Sequence, residues 1–474
     1  MASGRRTRPA AGGTGHAVVL GAGMAGLSVA AALTQGFERV TVLERDTLPA
    51  GVGSRTGTPQ DRHLHLLLPS GAAGLEEVLP GVRDDLMAAG AVPYDTNNLR
   101  AVLGGHRLVP APMGQAGFVG SRPLVEAQVR RRVRDIASVS VREGRAVRGL
   151  VLSDDGRTVA GVRLADADGA EGEATLACEL VVDGTGRGSR TDRWLADAGY
   201  RPAPVEELQV DVRYATRAFD LPDDVLGGDV HVLIGPTPDD PRGGAMTRIG
   251  TDRWLVTLFA MAGAQPPKDR AAFEKFAGEL AVDDLAAAVT GATEVGDAAS
   301  YRFPANRRRR YEDLAELPDG LLVAGDAVCS FNPIYGQGMS VAALQAAELA
   351  RLLRADGSPP APRDWFGAIA PTVDAAWQMA TGADLAVRDV AGRRGPAVRA
   401  TGAYLARLQA GAAHDPVLSR RFVRAASLLD PPQALLRPST AARVARAVLR
   451  GRVRPVTHHP RRTARSGSGR PGGG

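Results

Sequence analysis

The sequence predicts an α/β protein in three parts: a βαβ unit near the N-terminus, an antiparallel sheet in the middle and a helical C-terminal region. Three observations support this. Residues 16 to 46 read HAVVLGAGMAGLSVAAALTQGFERVTVLERD, an apolar run, a glycine-rich turn, a helical pattern and a second apolar run. From about 206 to 305 apolar residues alternate, as in Val210-Val212-Tyr214, Val230-Val232-Ile234 and Trp254-Val256-Leu258. That is the period of a half-buried antiparallel sheet. From about 361 to 450 the spacing is helical, with Asp430-Pro431-Pro432 as a break.

In the first unit a strand over Ala17 to Leu20 runs into Gly21-x-Gly23-x-x-Gly26, with Met24 and Ala25 opening the helix. Gly21 permits the tight turn, Gly23 lets backbone approach a pyrophosphate, and Gly26 lets helix and strand pack closely. The helix N-terminus offers free N–H groups to phosphates. The strand Val40 to Leu43 ends in Glu44 and Arg45, and Glu44 suits a ribose diol. The chain has 57 glycines, so a lone triplet would mean little. Strand, triplet, helix, strand and acid together predict a dinucleotide site.

A second motif selects the dinucleotide. Residues 321 to 340 read LLVAGDAVCSFNPIYGQGMS: a strand to Ala324, Gly325-Asp326, a loop with Asn332-Pro333, then Gly336-Gln337-Gly338 opening another helix. Asp326 is placed to bind a polyol chain. The backbone of Gly336 to Met339 suits a ring edge that gains negative charge on reduction. A nicotinamide dinucleotide has no ribityl chain; FAD has one.

Residues 179 to 189, ELVVDGTGRGS, resemble the strand-turn near the FAD in glutathione-reductase-type flavoproteins. With the other two motifs, the chain resembles single-component flavin monooxygenases of the aromatic-hydroxylase superfamily. The implied fold is a glutathione-reductase-type FAD-binding Rossmann domain, an antiparallel β-sheet substrate domain and a helical C-terminal region. Aligned on Gly186 and Ser189, an Asp that touches FAD and NADPH in much of that family is Thr185 here, a departure that bears on NADPH docking. Residues 55 to 71, 210 to 219 and 331 to 340 further resemble the flavin epoxidases of polyether pathways, the lasalocid and monensin type. The likeness runs from about residue 15 to about 440.

The resemblance implies non-covalent FAD, with NADPH as a transiently docked reductant or a separate flavin reductase in its place. It implies insertion of one oxygen atom from O2, by epoxidation or hydroxylation, into a hydrophobic natural product such as a polyene. Arg55 is similar by position to an arginine near the flavin, with Arg62 a second candidate, and Arg122 resembles an FAD-contacting arginine at the start of its helix. Asn332, Pro333 and Tyr335 are the expected pocket contacts. No catalytic dyad is evident, and this chemistry needs none. The alternatives are a redox-neutral or reductive flavoenzyme and a non-catalytic flavin-binding protein. A halogenase would usually carry a Trp-x-Trp-x-Ile segment and a reactive lysine, and neither is evident.

The expected boundaries are a disordered start over 1–14, the FAD-binding domain over 15–205 with a loop-rich insertion, and the sheet domain over 206–305. The FAD-binding domain returns over 306–360, followed by helices over 361–450 and a disordered basic tail over 451–474. Composition excludes other classes. Hydrophobic residues make up 44% of the 474, enough for a sizeable core. The net charge is +6 and the pI about 9.7, yet no aromatics interleave the Arg runs, so no nucleic-acid platform is predicted. Lys268 and Lys275 are the only lysines. Cys178 and Cys329, the only cysteines, form no Cys-x-x-Cys pair, which points to a reducing cytoplasm and no metal. His63 and His65 flank Leu64, and no third ligand that would make them a metal site is evident. No membrane span or signal peptide is predicted.

Overall fold

The computed structural model describes residues 15–165 and 174–451. A five-stranded parallel sheet takes His16–Leu20 as its central strand. Arg39–Leu43 and Val139–Arg142 follow on one side, Leu180–Asp183 and Leu321–Val323 on the other. The central strand is buried on both faces, which is why it reads as an unbroken apolar run. The helix Met24–Leu33 packs against the helices Arg122–Arg134 and Gln337–Asp356. The apolar segment over 174–182 divides between two sheets. Thr175–Ala177 closes a three-stranded antiparallel sheet with Val159–Leu164 and Val147–Leu152, while Leu180–Asp183 joins the parallel sheet. Cys178 and Glu179 make the crossing, and burial pushes the Cys178 thiol up to about 12.

The second large sheet has eight strands, in the order Cys329–Ser330, Thr293–Arg309, Val205–Asp220, Arg253–Ala260, Arg242–Gly250, His231–Ile234, Leu99–Leu103, His106–Arg107. The last two come from the loop-rich stretch before residue 120, and Leu99–Leu103 runs parallel to His231–Ile234. The central strand Arg253–Ala260 is not half-buried as alternation predicts. Trp254, Val256 and Leu258 pack on Phe273 and Leu285 of the helices Arg270–Gly278 and Asp284–Val289. Thr257 and Phe259 are also buried, on the opposite face, where a cavity begins. Arg307 to Arg309 lie within the long strand Thr293–Arg309. Arg308 is fully buried in ion pairs with Glu312 and Asp374, so this run is salt-bridged rather than solvated.

The C-terminal helices Pro362–Asp384, Pro396–Ala412, Pro416–Ala426 and Pro438–Leu449 each begin with proline, whose missing N–H costs nothing in a first turn. The first is tied to the parallel sheet by the indole of Trp365, which donates to the Val323 carbonyl at 2.9 Å. The other three pack over Ala101 and Leu108. The expectations for residues 1–14 and for the tail from 452 onward lie outside the described residues. Among the described residues no helix is long and apolar enough to cross a membrane.

Candidate functional site

A cavity of about 570 Å³ lies beyond the carboxyl ends of the parallel strands and runs to the inner face of the eight-stranded sheet. This is where open α/β sheets place ligands, and the volume is in the range of small-molecule pockets. Its first end is the glycine turn. Gly21 has φ +89°, a conformation L side chains rarely adopt. A Cβ on Gly26 would stand 1.8 Å from the Gly21 carbonyl oxygen, and one on Gly184 would stand 2.9 Å from the Gly26 nitrogen. The three glycines let the helix Met24–Leu33 cross two strand ends at backbone contact. Gly26 therefore serves packing and does not line the cavity, whereas Gly21, Gly23, Met24 and Ala25 do. Beside Gly23 only the guanidinium of Arg55 approaches, at 3.5 Å from where a Cβ would be.

Glu44 and Arg55 act as a pair. Glu44 accepts from the Ala22 N–H at 2.8 Å and the Asp46 N–H at 3.1 Å, and Arg55 reaches it at 2.9 Å. Arg55 also donates to Glu126 at 2.9 Å, so a buried arginine lies between two buried carboxylates. Their attraction outweighs its desolvation and raises its pKa. Arg45 is largely exposed at the cavity mouth. Arg62 is exposed and lies outside the cavity.

At mid-cavity Asp326 lies between two glycine segments. A Cβ on Gly186 would be 3.9 Å from the Asp326 Cβ, and one on Gly338 would be 3.6 Å from its Oδ1. Burial raises the Asp326 carboxyl, with Arg122 and Arg187 pulling it back down. Arg122 stands at the start of a helix capped by Ser121, and its Nε has no hydrogen-bond partner. Arg130 of the same helix is buried and donates to the Gly51 carbonyl, so the arginines do not share one face. Thr185 lines the cavity, but its hydroxyl and N–H both donate to Asp183. Asp183 also takes the hydroxyls of Ser189 and Thr191, which fills its acceptor capacity and holds the turn. Arg187 donates to the Ala305 carbonyl and lies 5.0 Å over the Phe303 ring, joining turn to sheet.

The far end is built by Gly336, with φ +65°, and by Gln337, Gly338 and Met339 at the start of a 20-residue helix. Opposite stands an aromatic and apolar wall that includes Tyr214, Leu233, Phe259, Tyr301 and Phe303. Pro333 lines the cavity; Asn332 and Tyr335 do not. Their side chains turn away to bond Asp384, 52 and 49 residues on in sequence, at 2.8 and 2.7 Å respectively. Asp384 was invisible to motif reading because it carries no local signal. His63 and His65 both line the cavity, because His63 is extended and leads directly into the strand that begins at His65, so the two share one face. The Nδ1 of His63 bonds Thr216 at 2.7 Å, and the Ser300 backbone stands close enough to the ring to counter part of the effect of burial. Burial lowers its pKa to about 4, so the imidazole is neutral at neutral pH.

A profile of the FAD binding domain family matches residues 15–358. The chain belongs to this family of FAD-binding proteins. Protein Rv3254 of Mycobacterium tuberculosis (strain ATCC 25618 / H37Rv) is 36% identical over 432 residues, which cover 88% of this chain and 90% of that protein. Among solved structures, flavin-dependent brominase Bmp2 aligns with a TM-score of 0.64 at 16% identity, over 92% of this chain and 99% of its own. The p-nitrophenol 4-monooxygenase PnpA from Pseudomonas putida DLL-E4 aligns with a TM-score of 0.61 at 18% identity, over 87% and 98%. Such identities establish a shared fold: the FAD-binding fold of flavin monooxygenases, with a Rossmann-like parallel sheet, antiparallel sheets and a helical C-terminal region.

The cavity of this FAD-binding protein fits its cofactor on three grounds. Two helix N-termini, at Met24 and Gln337, meet the same space, and neither carries a side-chain cap. At Gly23, Gly186 and Gly338 a side chain would enter ligand space rather than protein backbone. At the cavity the buried Nε of Arg122, 3.8 Å from Glu126, and the Nε2 of His63 make no hydrogen bond to a protein atom, which leaves both open to a ligand.

Proposed function

We propose that this chain is an FAD-dependent monooxygenase that inserts one oxygen atom of O2 into a hydrophobic natural-product substrate by epoxidation or hydroxylation. One observation carries the reading: a single cavity runs from a dinucleotide turn to an apolar and aromatic wall. Bound FAD, once reduced, supplies the electrons and the oxygen activation. The protein binds, orients and excludes water. Gly21, Gly23, Met24 and Ala25 are assigned to the pyrophosphate with Arg55 beside them, Glu44 and Arg45 to the ribose end. Asp326 is assigned to the ribityl chain, with Thr185, Gly186 and Arg122 alongside, and Gly336, Gly338 and Met339 to the ring edge. The wall of Tyr214, Leu233, Phe259 and Phe303 suits an apolar substrate held against the ring, and Pro333 and Ile334 close its side. The motif resemblance to polyether-pathway epoxidases favours an alkene, such as a polyene. Neither lysine lines the cavity, which speaks against a lysine-dependent halogenation.

NADPH is the proposed reductant. Thr185 engages Asp183 with both its donors, so the turn offers a nucleotide no free carboxylate there. Reduction by NADPH is therefore expected to be slow without substrate, through a transient surface near the FAD. Anaerobic stopped-flow mixing checks this; rapid bleaching without substrate counts against it, and no bleaching with substrate points to a separate reductase. The reaction class is tested with labelled O2 and a panel of polyenes. Label in the product supports oxygen insertion, and turnover without O2 consumption selects a redox-neutral flavoenzyme instead.

A further inference from the structure

We propose that Asp384 is a positioning residue that holds the ring-binding segment, residues 332–339, in register with the substrate wall. The proposal rests on the FAD reading above. Asp384 ends the helix Pro362–Asp384, beyond the residues 15–358 that match the family, and it is fully buried.

Its partners are three donors. Oδ1 accepts from the Asn332 amide at 2.8 Å and the Tyr335 hydroxyl at 2.7 Å, and Oδ2 accepts from the Asn306 amide at 2.6 Å. The wiring runs one way. The amide oxygen of Asn306 is taken by the Asn332 N–H at 2.5 Å. The amide oxygen of Asn332 is taken by the Tyr214 hydroxyl and the Ile334 N–H, both at 3.2 Å. Each amide must therefore turn its NH2 group to Asp384. Only an acceptor without a proton satisfies all three; an amide, or a protonated carboxyl, would set a donor against a donor.

The titratable groups that face Asp384 are Tyr335 and Tyr214, both neutral phenols whose ionisation burial pushes far up. Among the described residues no ion pair reaches it. Desolvation raises its carboxyl from 3.8 to about 6 against the pull of its three hydrogen bonds. The carboxylate is thus ionised at neutral pH despite an apolar setting, and this concentrates at functional sites. Its geometric effect follows. With Asn332 and Tyr335 bound on the far side, Pro333 and Ile334 face the cavity and Gly336 opens the helix toward it. Tyr214, on the substrate wall, hangs on the same network. One anion ties the cofactor-ring segment to the wall opposite.

The test is titration of the cofactor-free protein with FAD across pH 5 to 8 for wild type, Asp384→Asn and Tyr335→Phe, with thermal melting of each cofactor-free form. Wild-type affinity should be flat at alkaline pH and fall on acidification with a midpoint near 6, as the carboxyl gains a proton and loses acceptor capacity. Asp384→Asn should bind FAD about tenfold more weakly at pH 8, the scale of one charge-assisted hydrogen bond, and show no midpoint. Its melting without FAD reads the cost of the mismatched donor separately from the loss of affinity. Tyr335→Phe loses a bond that lowers the Asp384 pKa, so its midpoint should move upward; this variant decides the matter if Asp384→Asn does not fold. Wild-type affinity and pH profile in Asp384→Asn, or an unmoved midpoint in Tyr335→Phe, would overturn the proposal and leave the FAD reading standing. A wild type that binds no FAD would overturn both.

Discussion

Asp326 and two glycines separate cofactor contact from packing at single positions. Replacing Asp326 with Ala removes the carboxylate set between Gly186 and Gly338. FAD affinity should fall by on the order of 1–3 kcal/mol in a fluorescence titration, and an unchanged value would place the polyol elsewhere. Gly23→Ala and Gly26→Ala should behave differently. A methyl on Gly23 meets no backbone, so the fold should survive while FAD affinity drops. A methyl on Gly26 would collide with the Gly21 carbonyl oxygen at 1.8 Å, so the βαβ crossing must open and the protein should melt markedly earlier. Equal melting of the two variants would refute this division of labour.

Two elements set the cavity's shape from outside it. The helix that carries Arg122 is capped by Ser121, whose Oγ accepts from the Leu124 N–H at 3.3 Å. Ser121→Ala should cost about 1 kcal/mol in denaturant unfolding and Ser121→Gly only a few tenths. Behind the wall, Phe273 is fully buried against the sheet. Phe273→Ala should cost roughly 3–5 kcal/mol if the site cannot collapse. A loss well under 1 kcal/mol would mean that these helices contribute little to the sheet.

For the whole molecule, buried histidines govern the acid limb of stability. Burial lowers His63 to about 4 and both His65 and His231 to about 3. Unfolding returns them to 6.5, so the unfolded chain binds more protons between those values. Their contribution is fully present above pH 6.5 and is lost as pH falls toward 4, at about 1.4 kcal/mol per pKa unit for each group. Asp384 and Asp326 have the opposite sign: burial raises both folded pKa values, so their penalty is relieved as pH falls, for Asp384 from about 6 to 3.8. Three histidines outweigh two aspartates. The melting temperature should therefore fall steadily between pH 6.5 and 4, and one that rose would contradict the buried neutral imidazoles. Saturation with FAD at a hundred times its Kd should add about 2.7 kcal/mol, a shift of a few degrees in a chain this long.

The glycine-turn half of the candidate site was legible because its signals are local. Gly21, Gly23, Gly26 and the Glu44 strand end lie within one short βαβ unit, and Asp326 and Gly336 to Met339 lie in one strand-loop-helix. In both cases backbone geometry dictates the residue type on the spot. The helical C-terminal region and the alternating strands were legible by periodicity, which is also local. What only the tertiary structure decided depends on pairs far apart in sequence. Two edge strands from 99–107 joined the second sheet. Helices behind Trp254 and a cavity before Thr257 buried both faces of a strand that alternation had marked as half exposed. Asn332 and Tyr335 turned from the cavity to Asp384, because a buried carboxylate without a cation needs donors and these were the hydroxyl and amides within reach. Sequence determines the backbone turns that hold a cofactor; the environment of each side chain is set only when distant segments meet and exclude water.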